Sequence, residues 1–241
     1  MGLSLSAKHL RVQLPTGNTG VEATRSLLDI RALTVGSGES VAIYGPSGSG
    51  KTTLLHLLVG LQRSSGSSVL WRDAQGKQQD IAVLPDGAHE AWRLENAGLV
   101  FQQFQLFGQM TALENVLTPF RFRHWRCPPK GLVRARKLLS DFGIDGSAPT
   151  GWLSRGEQQR VAIARALVCE PAVILADEPT ASLDPVSASL VMDTLLQQCS
   201  QLGVTLIVAT HDSAFAPRFQ RALALQNGQL APVNAHRTAT A

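Results

Sequence analysis

The sequence predicts an α/β fold in which helices cover a mostly parallel β-sheet. Short apolar runs at Val173–Asp177 and at residues 204–209 flank a segment of helical spacing at residues 185–201. Continuous apolar runs of this length are typical of parallel strands that are buried on both faces. A glycine-rich loop also joins a predicted strand at residues 39–44 to a helix, which is the order of a β–α unit.

The other elements follow along the chain. Short β-like runs fill residues 1–44, and more β-structure is expected at residues 64–103, which together indicate an antiparallel β subdomain. Helical spacing at residues 111–122 and 130–142 then predicts an inserted helical subdomain. The predicted single domain, residues 1–241, divides into a core with the β subdomain (1–103 and 156–230), the helical subdomain (104–155) and a tail (231–241).

Composition narrows the class of protein. The chain has 241 residues, of which 44% are apolar and 17% charged, an ordinary globular balance. No stretch approaches the roughly 18 uncharged apolar residues that a membrane-spanning helix needs. Cys127, Cys169 and Cys199 lack metal-ligand spacing and are expected to be free thiols in a reducing compartment. A formal charge of +4 is too mild to imply nucleic acid.

The glycine-rich loop has the full G-x-x-x-x-G-K-T pattern of a phosphate-binding loop. In strand–loop–helix context its backbone N–H groups can turn inward around phosphates at a helix N-terminus. We expect Lys51 to reach the β- and γ-phosphates of a nucleotide and the Thr52 hydroxyl to hold Mg²⁺. These residues predict a P-loop NTPase core with nucleotide-binding positions Gly45, Pro46, Ser47, Gly48, Ser49, Gly50, Lys51, Thr52 and Thr53.

Two carboxylates lie at the end of the buried strand Val173–Asp177. Asp177 and Glu178 are expected at the carboxyl edge of the sheet, beside the phosphate loop. Asp177 is suited to hold Mg²⁺, which prefers hard oxygen ligands and keeps several waters. Glu178 is placed to polarise the attacking water. Solvated acids at a strand end are the alternative, which the phosphate loop upstream disfavours.

A third segment, Leu153-Ser154-Arg155-Gly156-Glu157, fits a helix start. Ser154 supplies a hydroxyl, and the free N–H groups at the positive end of the helix dipole can bind an anion. By itself this pattern is more often a helix cap.

Taken together, the motifs resemble those of the ATP-binding cassette (ABC) ATPases, over nearly the whole chain and in family order. The phosphate loop is followed by the Q-loop glutamine, the signature, the Walker B carboxylates, the D-loop and the switch histidine. In this chain the later motifs are Gln102, residues 153–157, Asp177 with Glu178, residues 182–184, and His211.

The resemblance implies roles that the residues alone do not. Gln102 would contact Mg²⁺ and the attacking water, and His211 the γ-phosphate. Ser154, Gly156 and Glu157 would close over ATP held by a second subunit, so that a homodimer forms two composite sites. The implied catalytic set is Glu178, His211, Gln102 and Lys51; the implied metal ligands are Thr52, Gln102 and Asp177; the cofactors are ATP and Mg²⁺.

Two positions depart from the family pattern, and the D-loop departs from the pattern of one subgroup. No Phe, Tyr or Trp precedes Tyr44, so the aromatic ring that often stacks on adenine is missing, and Leu14 is the nearest equivalent position. Arg155 stands in the signature where glycine is usual, although Gly156 is kept. The D-loop reads Ala181-Ser182-Leu183-Asp184 rather than the Gly-Asn-Leu-Asp that is common among cassettes of the lipoprotein-releasing and macrolide-exporter type.

The overall layout resembles the lipoprotein-releasing and macrolide-exporter type of bacterial cassette. The family implies an ATPase that couples dimer closure to a membrane permease at the cytoplasmic face of the inner membrane, without nucleic acid as a partner. The alternative is a cell-division type of mechanical or regulatory cassette, which also has a membrane partner. Soluble DNA-repair cassettes need a long coiled-coil insertion between Gln102 and Leu153, and translation-factor cassettes carry two such domains in one chain.

Two surfaces leave their roles open. An apolar cluster just after the Q-loop either packs the helical subdomain or receives a helix of the permease; its members are Phe101, Phe104, Leu106, Phe107 and Met110. A basic run is by default a solvated helical face; contact with anionic lipid headgroups is the second interpretation and nucleic-acid binding the third. It contains Arg121, Arg123, Arg126, Lys130, Arg134, Arg136 and Lys137, with Phe122 and Trp125 between them.

Overall fold

The computed structural model describes residues 2–15, 24–85, 87–123 and 127–233. Within these ranges the strands are β1 (Ser4–Pro15), β2 (Thr24–Val35), β3 (Ser40–Tyr44), β4 (Ser68–Arg72), β5 (Gln78–Asp80), β6 (Ala97–Val100), β7 (Val173–Asp177), β8 (Thr205–Thr210), β9 (Arg221–Gln226) and β10 (Gln229–Pro232). The α-helices are α1 (Lys51–Leu58), α2 (Ala88–Asn96), α3 (Ala112–Arg123), α4 (Pro129–Asp141), α5 (Arg155–Leu167) and α6 (Pro185–Leu202). Short 3₁₀ turns lie at Ile81–Val83, Thr150–Trp152 and Ser213–Arg218.

The larger sheet confirms the predicted parallel core. Its six strands have the order β10-β9-β3-β8-β7-β6, and every neighbouring pair from β9 to β6 is parallel. Tyr44 pairs with Thr210, and Asp177 pairs with Ala209, so the carboxyl ends of β3, β7 and β8 are level. Loops that follow these strands therefore meet at one edge of the sheet, where ligands bind in open α/β sheets.

The smaller sheet is the predicted antiparallel β subdomain. Its order is β2-β1-β4-β5, and all of its neighbouring strands are antiparallel. Leu10 of β1 and Leu28 of β2 are fully buried. They share a hydrophobic core with Leu54 of α1 and Ile43 of β3. The β subdomain therefore packs through α1 onto one face of the parallel sheet.

Helices cover the opposite face of the parallel sheet. Val161 and Ile163 of α5 and Met192 of α6 are fully buried in a core that includes Ile174 of β7. The helical subdomain extends this core through α3 and α4. A Cβ at Gly131 of α4 would lie 2.6 Å from the ring of Phe120, so the absence of a side chain lets α3 and α4 approach closely. No helix among the described residues is both long and apolar enough to cross a bilayer.

The α/β fold class is confirmed, but two local expectations are wrong. Residues 64–103 contain the helix α2, in which His89 and Trp92, three residues apart, are buried. Residues 231 and 232, which are expected in the tail, belong instead to β10, because Asn227 and Gly228, at φ 48° and 76°, make a tight hairpin turn from β9. The remainder of the predicted tail, residues 234–241, lies outside the described residues, and the domain boundaries stay predictions.

Candidate functional site

The phosphate loop occupies the turn between β3 and α1. Gly48 and Gly50 adopt φ 77° and 99°, in the left-handed region that side chains disfavour. Gly45 has no room for a side chain either, because a Cβ there would lie 2.4 Å from the carbonyl oxygen of Leu225. These glycines let the backbone wrap tightly before α1 begins, as the motif predicts.

Lys51 is the first residue of α1 and is buried. Its Nζ donates to the carbonyl oxygens of Gly45 at 2.8 Å and Pro46 at 3.2 Å. The ammonium group therefore lies inside the curve of its own loop. Ser49 Oγ is buried there as well and has no hydrogen-bond partner among the described residues, which leaves it available to a phosphate oxygen.

Thr52 and Asp177 meet across the edge of the sheet. Thr52 Oγ1 donates to Asp177 Oδ2 at 2.7 Å, while Asp177 Oδ1 is buried and has no partner among the described residues. Burial raises the pKa of Asp177, and the Thr52 hydrogen bond partly opposes that shift. A hydroxyl and an under-satisfied carboxylate oxygen at one point fit the hard oxygen coordination of Mg²⁺.

Glu178 lies between two basic side chains. Its Oε1 is 3.2 Å from Lys51 Nζ, and its Oε2 is 2.7 Å from His211 Nδ1 and accepts the backbone N–H of His211 at 3.2 Å. The backbone N–H of Glu178 donates to Ala209 O at 2.8 Å, and its φ is 47°. This left-handed backbone conformation is uncommon for a residue with a side chain, and the Glu178 carboxylate faces Lys51 of the phosphate loop.

The helix start at Ser154 is a complete capping box. Glu157 N donates to Ser154 Oγ at 3.3 Å, and Ser154 N donates to Glu157 Oε2 at 2.8 Å. Hydrogen bonds from Ser154 lower the pKa of Glu157. Gly156 is buried, and a Cβ there would lie 3.5 Å from the side chain of Ser187 in α6.

The signature and the Q-loop glutamine are not hydrogen-bonded to the phosphate-loop site within the described residues. No hydrogen bond within the described part of the chain joins Ser154, Gly156 or Glu157 to residues 45–53, or Gln102 to Thr52 or Asp177. Gln102 is exposed and instead lines an open cavity of about 530 Å³. The other residues of that cavity come from the Q-loop, the signature helix and the D-loop: Gln103, Phe104, Arg155, Gln158 and Ser182. Of the expected metal ligands, the structure joins Thr52 with Asp177 only.

A pocket that the motifs did not indicate adjoins the phosphate loop. Its volume is about 320 Å³, and residues 46–49 of the loop form one wall. The remaining lining comes from β2 and from the β9–β10 turn: Arg25, Ser26, Leu27, Asn227 and Gly228. Leu14, expected to face the base, does not line this pocket and lies one strand further away, paired with Arg25. Only the register of β1 and β2 reveals this, and no motif in the sequence records it.

In the apolar cluster after the Q-loop, some residues pack the helical subdomain and others line a surface groove. Leu106 packs against the helical core, whereas Phe101 and Phe107 line a groove of about 450 Å³. Phe122, which is 73% exposed, lines the same groove, and Arg93 and Arg165 add positive charge. Trp125 and Arg126 of the basic run lie outside the described residues, as does the side chain of Arg123.

The four tryptophans differ in their surroundings. Trp71 and Trp92 are buried against each other, with ring centroids 5.8 Å apart. Trp152 is 86% exposed, two residues before Ser154. The fourth, Trp125, belongs to the part of the chain that is not described.

Comparisons with known proteins agree on one family. Residues 28–181 match the ABC transporter family. The lipoprotein-releasing system ATP-binding protein LolD of Syntrophotalea carbinolica is 40% identical over 198 residues, covering 81% of this chain and 85% of the relative. LolD of Granulibacter bethesdensis is 41% identical over 208 residues, covering 86% and 88%.

Solved structures give the same answer. The dimeric post-hydrolysis state of the ATP-binding cassette MJ0796, bound to ADP and Pi, superposes with a TM-score of 0.80 at 32% identity, covering 94% of this chain and 96% of that one. CbiO1 from Clostridium perfringens, part of the transporter complex cbiONQ, gives 0.77 at 30% identity, covering 94% and 86%.

Proposed function

The chain belongs to the ABC transporter family, and we propose that it powers a lipoprotein-releasing type of transporter from the cytoplasmic face of the inner membrane. It is the ATP-hydrolysing subunit of a membrane transporter, which acts with a permease and pairs with a second cassette. The lipoprotein class is proposed because relatives at 38 to 41% identity carry that name.

One observation carries the catalytic part of the proposal: the Glu178 carboxylate is fixed between Lys51 and His211, at the mouth of the phosphate loop. Lys51 is placed to neutralise charge on the β- and γ-phosphates. Glu178 is the general base that orients and deprotonates the attacking water, and His211 contacts the γ-phosphate. The strained backbone of Glu178 and its bond to Ala209 hold the carboxylate in place for this step.

The metal part of the proposal rests on Thr52 and Asp177. We assign Mg²⁺ to this pair because Asp177 Oδ1 is a buried oxygen that lacks a hydrogen bond within the described residues. Bound there, Mg²⁺ would neutralise negative charge on the phosphates of the nucleotide. Gln102, which makes no hydrogen bond to Thr52 or Asp177 within the described residues, joins the pair in this proposal.

The signature is proposed to act on the second cassette. Ser154, Gly156 and Glu157 make no hydrogen bond to their own phosphate loop within the described chain, yet Ser154 is exposed at a positive helix end. A second copy related by a two-fold axis presents its phosphate loop to this end, and the first copy does the same in return. Each ATP is then enclosed by one loop and one signature helix.

The permease is proposed to dock in the groove that Phe101, Phe107 and Phe122 line. The groove is mostly apolar, and an amphipathic helix laid into such a groove anchors through side chains on one face. Arg93, Arg165 and one carboxylate, Glu90, line it, and this excess of positive charge favours a helix that presents carboxylates or its C-terminal end there.

Glu178→Gln is the test of the hydrolytic site. The variant keeps an oxygen beside Lys51 but loses the base, so we expect Mg·ATP to bind while phosphate release slows at least about a hundredfold. Gel filtration with ATP should then show a stable dimer. Glu170→Gln is the matched control, because this carboxylate is 72% exposed on the surface. Normal turnover in Glu178→Gln would remove Glu178 as the base.

The substrate class has its own test. The cassette is reconstituted with its membrane subunits in proteoliposomes that hold an acylated lipoprotein, and release into solution is followed on adding ATP. We expect release of the acylated protein and none with the Glu178→Gln cassette. ATP hydrolysis without release would contradict the lipoprotein assignment and leave the ATPase assignment intact.

A further inference from the structure

The pocket beside the phosphate loop is lined by an arginine and by no aromatic side chain. None of its lining residues is Phe, Tyr, Trp or His. Arg25 of β2 lies across from residues 46–49, its side chain is exposed, and it forms no ion pair with a carboxylate of the described residues. The usual explanation of such a residue is a solvated surface cation.

The position of the pocket argues for more than that. A nucleotide whose phosphates lie on the loop must extend its sugar and base away from α1, and this pocket continues directly from the loop to β2. Its volume of about 320 Å³ is within the range of small-molecule sites. Leu27, which is half-buried, offers apolar surface there, and Ser26 and Asn227 offer polar groups.

We propose that Arg25 is the base-binding residue of this cassette, stacking its guanidinium plane on the purine of the bound nucleotide. The inference rests on the proposed function of the phosphate loop. A guanidinium is planar, weakly hydrated and always charged, so it stacks on an aromatic face in a way that a lysine cannot reproduce. Arginine planes also stack on single-stranded bases with little preference among them.

The paired residue on β1 supports this assignment. Leu14 lies directly opposite Arg25, and directly paired residues of antiparallel strands project from the same face. Leu14 is therefore placed to pack beside the methylene stem of Arg25, one strand further from the loop. The family's aromatic position is occupied by a residue that supports the stacking group rather than by the stacking group itself.

The test compares a ligand that has a base with one that lacks it. Titration calorimetry with Mg²⁺ measures ADP and inorganic pyrophosphate against Arg25→Ala, Arg25→Tyr and Arg25→Lys. Arg31→Ala is the matched control, since Arg31 is an exposed arginine of the same strand that does not line the pocket. For Arg25→Ala we expect the Kd of ADP to rise about three- to tenfold and that of pyrophosphate to change less than about twofold.

The two further variants separate stacking from charge. If the guanidinium stacks on the base, Arg25→Tyr restores ADP affinity because it keeps a planar face, and Arg25→Lys does not. The proposal is overturned if ADP and pyrophosphate weaken together and Lys restores both, because Arg25 then acts as a charge near the phosphates. It is overturned equally if Arg25→Ala matches Arg31→Ala. In either case, loss of ADP binding by Lys51→Ala would leave the phosphate-loop assignment standing.

Discussion

Lys51 Nζ lies 3.2 Å from Glu178 Oε1, and the two side chains are only 6% and 10% exposed, so this ion pair is buried. A buried ion pair is expensive to break, because removing one partner leaves the other charge uncompensated. His211, on the far side of Glu178, is the second group that shares this charge. Substitutions of these residues, which the proposed function assigns to phosphate chemistry, are therefore expected to affect the stability of the sheet edge as well.

Lys51→Ala is expected to weaken nucleotide binding and stability together. It removes the cation at the β/γ-phosphates and leaves Glu178 beside His211 alone, at a cost of about 3 kcal/mol in unfolding free energy. Calorimetry with a slowly hydrolysed ATP analogue, well below the melting temperature, isolates the binding effect. Lys137→Ala, which removes an exposed surface pair with Asp141, is the control. Unchanged ATP affinity in Lys51→Ala would exclude the loop as the phosphate site.

Asp177 predicts a specific pH dependence. Its folded pKa is raised above 3.8 by burial, so the folded state favours the protonated acid. The stability that this group contributes is present below pH 3.8 and is lost as the pH rises through the folded pKa. Asp177→Asn should therefore melt higher than the wild type at pH 7 without metal, and the two should converge at acid pH.

Asp177 also predicts how Mg²⁺ affects the melting temperature. Mg²⁺ with nucleotide should raise the melting temperature of the wild type but much less that of Asp177→Asn, because the neutral amide is a poor Mg²⁺ ligand. Scanning calorimetry with and without Mg²⁺ measures both effects. Equal Mg²⁺ stabilisation of the two proteins would place the metal elsewhere.

ATP and GTP are expected to bind within about tenfold of each other. Stacking on a flat cation discriminates weakly between purines, so most affinity comes from phosphate and metal contacts. A competition assay with the two nucleotides decides this. A preference for ATP beyond about a hundredfold would mean that another group of this chain reads the edge of adenine.

Gly98→Ala should destabilise the fold without touching the nucleotide site. A Cβ at Gly98 in β6 would lie 2.4 Å from both Ala166 O and the Cδ1 of Ile174. The first of these is backbone of α5, so helix and sheet must separate, at about 1–3 kcal/mol or a few degrees in melting temperature. Gly146→Ala, where the nearest atoms would be 3.4 Å away, is the matched control and should melt normally.

Phe122→Asp should impair coupling to the membrane subunits while leaving ATP hydrolysis by the isolated cassette unchanged. The ring is 73% exposed in the groove proposed for the permease, so its loss should leave ATP turnover of the isolated cassette unchanged. Stimulation by the membrane subunits should fall, because a charge replaces an apolar anchor. Full stimulation in the reconstituted complex would exclude Phe122 from the docking surface.

The sequence predicts those parts of the site whose residues are required by local structure as well as by the arrangement of the whole fold. Gly48, Gly50 and Lys51 are dictated by a turn that only certain residues form, and Asp177 ends a strand whose apolar pattern is plain. The placement of Glu178 beside His211 also follows, since both come after neighbouring strands at one edge.

The elements that sequence misjudged depend on partners far along the chain. Helix α2 is polar on most of its surface, and only burial of Trp92 against Trp71 of β4 reveals why it forms. The strand β10 is the exception, because its pairing with β9 follows from the Asn227-Gly228 turn, a local hairpin signal that the prediction missed. Arg25 reaches the pocket because β2 passes beside the phosphate loop, where Leu28 packs against Gly50. Such relationships belong to tertiary structure and leave no local pattern.

The exposed side chain of Trp152 provides an intrinsic fluorescence probe of cassette closure. An indole in water emits at longer wavelength than one in an apolar or stacked environment, and the rings of Trp71 and Trp92 already lie in the core. Closure of a second cassette over the helix start at Ser154 would dehydrate Trp152 and shift its emission to the blue. The rates of ATP-driven closure and of reopening after hydrolysis can therefore be followed by stopped-flow fluorescence without any label, with Trp152→Phe as the silent reference.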